Sequence, residues 1–338
     1  MKNYEIRLNA YPDGLPTREI FDHVECDVPP LKDGEMRIRN IWMTVDPYMR
    51  GRMTPSRDSY VPPFGLDTVL DGGAVGIVEE SRNGPFAEGD YVSGMTGGWR
   101  TYHISTGLGL TKVDPALAPL QAYLGVLGMP GMTAWYGLLK IGAPKPGETV
   151  FVSAASGAVG ALVCQIAKLK GCRVIGSAGG AQKCAWLRDE IGVDAAIDYR
   201  AAGEGFMDAL GAAAPDGIDV YFENVGGTHL EAALEHMNIN GRIVGCGMIS
   251  QYNEPDAVGV RNLFYIVGKR LMMKGFIVSD HFAEFPAFAA EMGGWIAEGK
   301  IRWKETVYDG LEKAPDAFIG LFSGENFGKA LVRISPDP

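Results

Sequence analysis

Between residues 149 and 276 short β-branched runs alternate with helical stretches, and this alternation constrains the fold more than any other feature. The run TVFVS at 149–153 is short and apolar. Over 157–169 the residues Val159, Leu162, Val163, Ile166 and Leu169 fall at helical spacing. The pattern then repeats. RVIGS at 173–177 precedes a helix over 181–191, a brief strand at 195–197 precedes a helix near 204–213, and IDVYFE at 218–223 precedes a helix over 228–237. GRIVG at 241–245 and a run at 271–276 complete six strands. Strands joined through helices run parallel, so this stretch predicts a doubly wound parallel sheet.

The first third of the chain reads differently. EMRIRNIWMTV at 35–45 begins as an apolar/polar alternation, and further short strands are expected at 73–80, 90–94 and 99–105. Turn signals separate them (PDG, paired prolines, NGP, TGG), which predicts an antiparallel barrel or sandwich. The tail is expected to hold a helix over 282–298, a strand at 305–308, a helix over 311–322 and a last strand at 329–334. The clearest boundary is Met129-Pro130-Gly131, which opens a helix over 132–139. The class is therefore α/β, and 338 residues suit two domains.

Charge and cysteine content narrow the partners. With 31 Lys and Arg against 41 Asp and Glu, the net charge is −10, which repels phosphate backbones and anionic lipid. Nucleic acid and membrane are accordingly not expected as partners. The five cysteines are odd in number and none forms C-x-x-C, and no HExxH occurs, so no metal site is expected. A polar N-terminus and the lack of any apolar run of about 18 residues point to a soluble, cytoplasmic protein in a reducing compartment.

The segment SAASGAVG at 153–160 sits where the first parallel strand turns into its helix. Ala154, Gly157 and Gly160 occupy the three small positions of a dinucleotide fingerprint, with Ala158 and Val159 between the glycines. Small residues let the backbone approach a pyrophosphate, and the helix start supplies N–H donors and a positive dipole end. A plain tight strand–helix turn is the alternative. The second strand ends Ser177-Ala178-Gly179-Gly180, without the acid that would hold a ribose 2′-OH. Lys183 follows six residues after Ser177, and Tyr199 follows the third strand. A cation and a hydroxyl in place of a carboxylate suit a 2′-phosphate, so NADPH/NADP is the expected cofactor. A solvated surface lysine is the alternative for Lys183 taken alone.

Taken together, several motifs resemble a known family. They are SAASGAVG with Gln165-Ile166-Ala167-Lys168, FENVGG at 222–227, GRIVGCGMIS at 241–250 and NFGK at 326–329, with VDPYMRGRM at 45–53 and LGMPGMTAWYG at 127–137. In this order they resemble the zinc-independent medium-chain dehydrogenase/reductases, and within them the leukotriene B4 dehydrogenase, prostaglandin, alkenal and curcumin reductase group. The resemblance implies a GroES-like catalytic domain over 1–128, completed by 305–338, a Rossmann domain over 129–304, and a homodimer. It places Lys183 and Tyr199 at the 2′-phosphate. It puts Asn224 near the adenosine and phosphate side, Cys246 and Tyr252 near the nicotinamide, and Asn326 on the cofactor from the C-terminal segment. Glu223 departs conservatively from the Asp of many relatives.

The activity so implied is reduction of the C=C bond of an α,β-unsaturated ketone or aldehyde by hydride transfer to the β-carbon. Charge then develops on the carbonyl oxygen, and a fixed phenol stabilises it. Tyr252 is the candidate donor, with Tyr48 and Tyr60 as candidates for the substrate pocket; water or Tyr252 would protonate the α-carbon. Cys246 is expected to be a packing residue. Phe276, Phe282, Phe285 and Phe288 are expected in the core, at a dimer contact or along a substrate wall, and Asp280 and His281 at the surface. A quinone reductase of the same superfamily and a non-catalytic NADPH-binding sensor are alternatives. The scattered Cys and His residues disfavour a zinc alcohol dehydrogenase.

Overall fold

The computed structural model describes residues 1–55, 59–254, 256 and 258–337. In chain order the strands of the first third are β1 (Lys2–Leu8), β2 (Phe21–Asp27), β3 (Met36–Thr44), β4 (Ala74–Ser81), β5 (Tyr91–Gly94), β6 (Tyr102–Ser105) and β7 (Thr111–Lys112). Then come β8 (Thr149–Val152), β9 (Arg173–Ala178), β10 (Ala195–Asp198), β11 (Ile218–Glu223), β12 (Met237–Gly245) and β13 (Met272–Gly275), and finally β14 (Glu305–Asp309) and β15 (Lys329–Arg333). The chain forms two compact units, Met1–Gly125 with Glu305–Pro338, and Val126–Lys304.

The second unit carries a six-stranded parallel sheet in the order β10-β9-β8-β11-β12-β13. This is the doubly wound order expected of a Rossmann-type sheet, with the reversal between β8 and β11. β8 is buried at every position, as a strand covered on both faces must be. The helices of this unit include α1 (Met129–Tyr136), α2 (Gly160–Leu169), α3 (Ala181–Trp186), α4 (Phe206–Ala213), α5 (Gly227–His236) and α6 (Phe285–Ala297). In α2 the apolar stripe Leu162, Val163 and Ile166 is buried, as its spacing predicts.

Several boundaries move for identifiable reasons. The helix expected from residue 132 starts at Met129 and continues as a π-helical stretch, Gly137–Gly142. The unit itself begins at Val126 rather than 129. A side chain at Gly131 would lie 2.0 Å from the Val126 carbonyl oxygen, so the residues leading into α1 pack directly on it. The helix expected from 282 starts at Phe285, because Val278–Glu284 is a 3-10 stretch kinked at His281.

In the first unit β1 and β2 form an antiparallel pair that the sequence reading leaves unassigned. The main sheet runs β14-β15-β3-β4-β5-β7, with β6 also on β3. It is not wholly antiparallel as expected: β14 and β15 run parallel. The reason is α7 (Ala314–Ser323), a crossover helix that returns the chain to the same end of the sheet. Its Ala317, Phe318 and Leu321 join Ile6, Leu8, Phe21, Met43 and Trp99 in one core. Phe318 meets both Phe21 and Trp99 edge-on, at 6.3 and 6.2 Å between centroids. The C-terminal segment thus completes the hydrophobic core of the N-terminal one.

Two buried histidines make stability pH-dependent. Burial pushes both imidazoles, His103 and His229, down to about 4. A depressed folded value means that the stabilisation is present above the unfolded value near 6.5 and is lost as pH falls through 4. For His229 the linkage is on the order of 3 kcal/mol. Urea unfolding at successive pH values should show stability falling between pH 6.5 and 4, and His229→Gln should make that acid limb shallower. An unchanged slope in the variant would contradict the assignment.

Candidate functional site

β8 delivers the chain into the loop 153–159, and α2 follows. Ala154 has φ 48°, a left-handed conformation, and its carbonyl accepts the Gly157 N–H at 2.9 Å. A Cβ on Gly160 would sit 2.4 Å from the Ala154 oxygen and 2.9 Å from Ala155 Cα, both backbone atoms. Only glycine fits there, whereas at Gly157 the corresponding approach is 3.2 Å. Ala155 N–H donates to the Ser177 carbonyl at 2.8 Å, which ties this loop to the end of β9. Ser177 itself is fully buried and its hydroxyl has no partner among the described residues, so it serves the loop through its carbonyl. Ala158 and Val159 lie partly exposed just before α2. A backbone cradle at the start of a ten-residue helix has the donors and dipole that a pyrophosphate requires.

Next along the sheet, the parallel register sets Ile197 beside Ser177 and Asp198 beside Ala178. The residues that follow, Gly179 and Tyr199, are therefore neighbours. A Cβ on Gly179 would lie 2.8 Å from Arg200 Nε and 3.0 Å from the Tyr199 hydroxyl. Lys183, on α3, is partly buried; burial, and secondarily the Arg200 charge, hold its ammonium pKa below the usual value. Asp198 immediately precedes Tyr199, but its Oδ1 accepts the N–H groups of Gly180 (2.9 Å), Arg200 (3.1 Å) and Ala201 (3.3 Å). These bonds, led by that from Gly180, lower its pKa and commit the carboxylate to the loop. Arg200 escapes the sequence reading. The cue is that a residue following the third strand faces the loop after the second.

On the other side of β8 lies a buried polar knot. Glu223 Oε1 accepts from the Tyr221 hydroxyl (2.7 Å), Val225 N–H (2.6 Å) and Gly226 N–H (2.9 Å). Its Oε2 has no partner among the described residues, and burial raises its pKa. Ser153 Oγ accepts the Asn224 N–H at 2.9 Å, and Asn224 Nδ2 donates to the Ser153 carbonyl at 2.8 Å. The Glu223 carbonyl in turn takes Cys246 N–H (2.9 Å) and Gly247 N–H (3.1 Å), so the loops after β11 and β12 are laced together. Burial pushes the Cys246 thiol up to about 12, which keeps it a neutral thiol. Tyr252 lies at the end of this second loop. Its oxygen accepts the Met248 N–H at 3.2 Å, a bond in which the phenol proton takes no part. Burial raises its pKa as well, so it remains a donor at neutral pH.

These residues lie at or just beyond the C-terminal ends of the parallel strands, where ligands bind in open α/β sheets. Tyr48, Tyr60 and Asn326 belong to the first unit. Tyr48 is partly buried, and burial raises its pKa strongly, with Asp46 adding to the effect. Tyr60 is exposed. Asn326 donates to the Gly328 carbonyl at 2.8 Å. The aromatics of the second unit separate. Phe288 is buried and Phe285 packs on it at 5.4 Å, Phe276 lies 6.0 Å from Tyr136, and Phe282 is exposed. His281, expected at the surface, instead stacks on Tyr136 at 4.0 Å, while Asp280 is exposed. Among the described residues no three His, Cys, Asp or Glu side chains gather as a metal site, and no helix is long and apolar enough to cross a membrane.

Known proteins resemble this chain along nearly its whole length. Residues 4–113 match the family model described as the N-terminal domain of oxidoreductase, and residues 158–293 match the one described as zinc-binding dehydrogenase. The chain is 44% identical over 337 residues to the NADPH-dependent curcumin reductase of Escherichia coli (strain K12), covering 98% of this chain and 96% of the relative. It is 43% identical to the 2-alkenal reductase (NADP(+)-dependent) of Nicotiana tabacum, with 99% and 98% covered. The crystal structure of CurA from Vibrio vulnificus in complex with NADPH superimposes with a TM-score of 0.94 at 44% identity, over 99% of this chain and 100% of that one. The Escherichia coli quinone oxidoreductase shares the fold, with a TM-score of 0.77 at 23% identity and 98% and 99% covered. On likeness that spans nearly the whole chain, this protein belongs to the medium-chain dehydrogenase/reductase family, in the group of the curcumin, alkenal and prostaglandin reductases.

Proposed function

We propose that this chain is an NADPH-dependent oxidoreductase that reduces the C=C bond of α,β-unsaturated ketones or aldehydes. One observation carries the substrate class: 43% and 44% identity, nearly end to end, to reductases named for 2-alkenals and curcumin. The loop 177–180, which carries no acid of its own at the end of β9, with Lys183 and Tyr199 beside it, supports the phosphorylated cofactor. The backbone cradle at Ala154, Gly157 and Gly160 would hold its pyrophosphate, flanked by Ala158 and Val159.

When bound, NADPH supplies the hydride that goes to the substrate β-carbon. The chain's own task is to stabilise charge on the carbonyl oxygen and to exclude competing chemistry. Tyr252 would donate its phenol proton in a hydrogen bond to that oxygen; its position in a bonded loop spares reorganisation as charge grows. The neutral Cys246 thiol adds no competing charge. Asn224, held at both its main chain and its side chain, would fix the cofactor side of the loop. In the same proposal Tyr48 and Tyr60 are assigned to the substrate and Asn326 to the cofactor, and water or Tyr252 protonates the α-carbon.

A cytoplasmic homodimer completes the reading. β13 ends the parallel sheet with all four residues exposed, among them Met272 and Met273. A second copy would cover this open apolar edge.

The deciding experiment follows NADPH loss with a conjugated enone, with NADH and a quinone as controls, and weighs the product. The expected result is NADPH-dependent loss and a product two hydrogens heavier with its carbonyl intact. Turnover of the quinone alone would replace the proposal with a quinone reductase. Cofactor binding without turnover of either would leave a sensor.

A further inference from the structure

We infer that Arg200 is a second cation for the 2′-phosphate of NADP(H), acting with Lys183 and Tyr199 to set the preference over NAD(H). The inference rests on the cofactor reading above and deepens it. Three independent features place the guanidinium there. First, the β9–β10 register carries 199 and 200 alongside 179 and 180, so Arg200 extends from the strand next to the phosphate-side loop. Second, Arg200 Nε stands 2.8 Å from where a Gly179 Cβ would be, and the Tyr199 hydroxyl stands 3.0 Å from the same point. The missing side chain at Gly179 therefore lets a guanidinium N–H and a phenol pack together against the same stretch of loop backbone. Third, Arg200 and Lys183 are close enough for the arginine to depress the lysine pKa.

Two cations beside one loop repel each other, and a dianionic phosphate relieves that repulsion. A cofactor with a free 2′-OH offers no such relief. The Asp198 carboxylate beside them also attracts Arg200, while its Oδ1 accepts the N–H groups of Gly180, Arg200 and Ala201 and so anchors the arginine main chain against the loop. Arg200 is exposed and its guanidinium lies 6.0 Å from the Tyr199 ring centroid, so the side chain has room to meet a ligand without repacking the core. It is a specificity residue, remote from the reacting carbons.

The test is binding, independent of turnover. NADP+, NAD+, adenosine 2′,5′-bisphosphate and 5′-AMP are titrated calorimetrically into wild type, Arg200→Gln and Arg200→Lys, with thermal melting to confirm folding. The expected result is about 10-fold weaker binding of NADP+ and of the bisphosphate to Arg200→Gln, as for one lost charged contact at an exposed site. NAD+ and 5′-AMP should be unchanged, Arg200→Lys should recover most of the loss, and the salt dependence of NADP+ binding should become shallower in Arg200→Gln. If wild type prefers NADP+ and Arg200→Gln keeps that preference, the inference is overturned while the cofactor reading stands. Equal loss for NADP+ and NAD+ overturns it too, since it marks a structural role. A wild type without preference overturns the cofactor reading and this inference together.

Discussion

Tyr252→Phe is expected to lower kcat with an enone by about 10²- to 10³-fold, the scale for removing one preorganised donor to a developing oxyanion. The binding of NADP+ should stay within about twofold, because an interaction made only in the transition state leaves ground-state binding alone. Phe keeps the ring and loses only the hydroxyl. That hydroxyl accepts one bond from Met248 N–H, and the loop keeps its other ties: Ile249 N–H to the Asn224 carbonyl at 3.2 Å and Ser250 N–H to the Val225 carbonyl at 3.0 Å. The loop should therefore hold its shape, which separates a chemical effect from a structural one. Stopped-flow single turnovers and a cofactor titration on the same preparation check both halves. Full turnover with unimpaired binding would remove Tyr252 from the chemistry and leave water as the donor.

Lys329→Met should cost about 3–5 kcal/mol of stability, the penalty for stranding a buried charge. Lys329 and Asp46 are 6% and 8% exposed at their side chains, with Nζ 2.9 Å from Oδ1. The same Nζ donates to the Val45 carbonyl at 2.8 Å, and the Thr44 hydroxyl donates to Asp46 Oδ2 at 2.9 Å. Removing the lysine leaves a carboxylate with one hydroxyl donor and no counter-charge. Urea unfolding should report the loss, with Tm lower by roughly 10 °C. Replacing both members, as Lys329→Met with Asp46→Leu, should recover much of it, since an apolar pair of similar size avoids the desolvation penalty. A single variant as stable as wild type would show that the pair contributes little. Because Lys329 closes the NFGK segment and Asp46 is the second residue of VDPY, this pair also joins the segments that carry Asn326 and Tyr48.

Local pattern was enough for the second unit. Each of its strands and helices announces itself in fewer than about fifteen residues, through β-branched runs, helical spacing and glycines at turns. Parallel connection and strand order then follow from crossover rules that leave few alternatives. The cradle at 153–160 and the missing acid after β9 are likewise contiguous in the chain and were legible there. So was the family, because its motifs are short and ordered.

What the tertiary structure alone decided depends on residues far apart in the chain. The β1–β2 pair, the parallel β14–β15 pair and the return of Phe318 onto Phe21 and Trp99 all need partners that no local window contains. Lys329 looks like any charged residue until it meets Asp46, 283 positions earlier in sequence. His281 looks like a surface residue until the kinked segment lays it on Tyr136. Arg200 gains its meaning only from strand register, which sets it beside a glycine some twenty residues away and beside Lys183. The sequence therefore determined the sheet, the glycine-bearing loop at 153–160 and the family. The structure decided which charges are buried, which are paired and which converge, because desolvation and Coulomb energy depend on distance in space rather than along the chain.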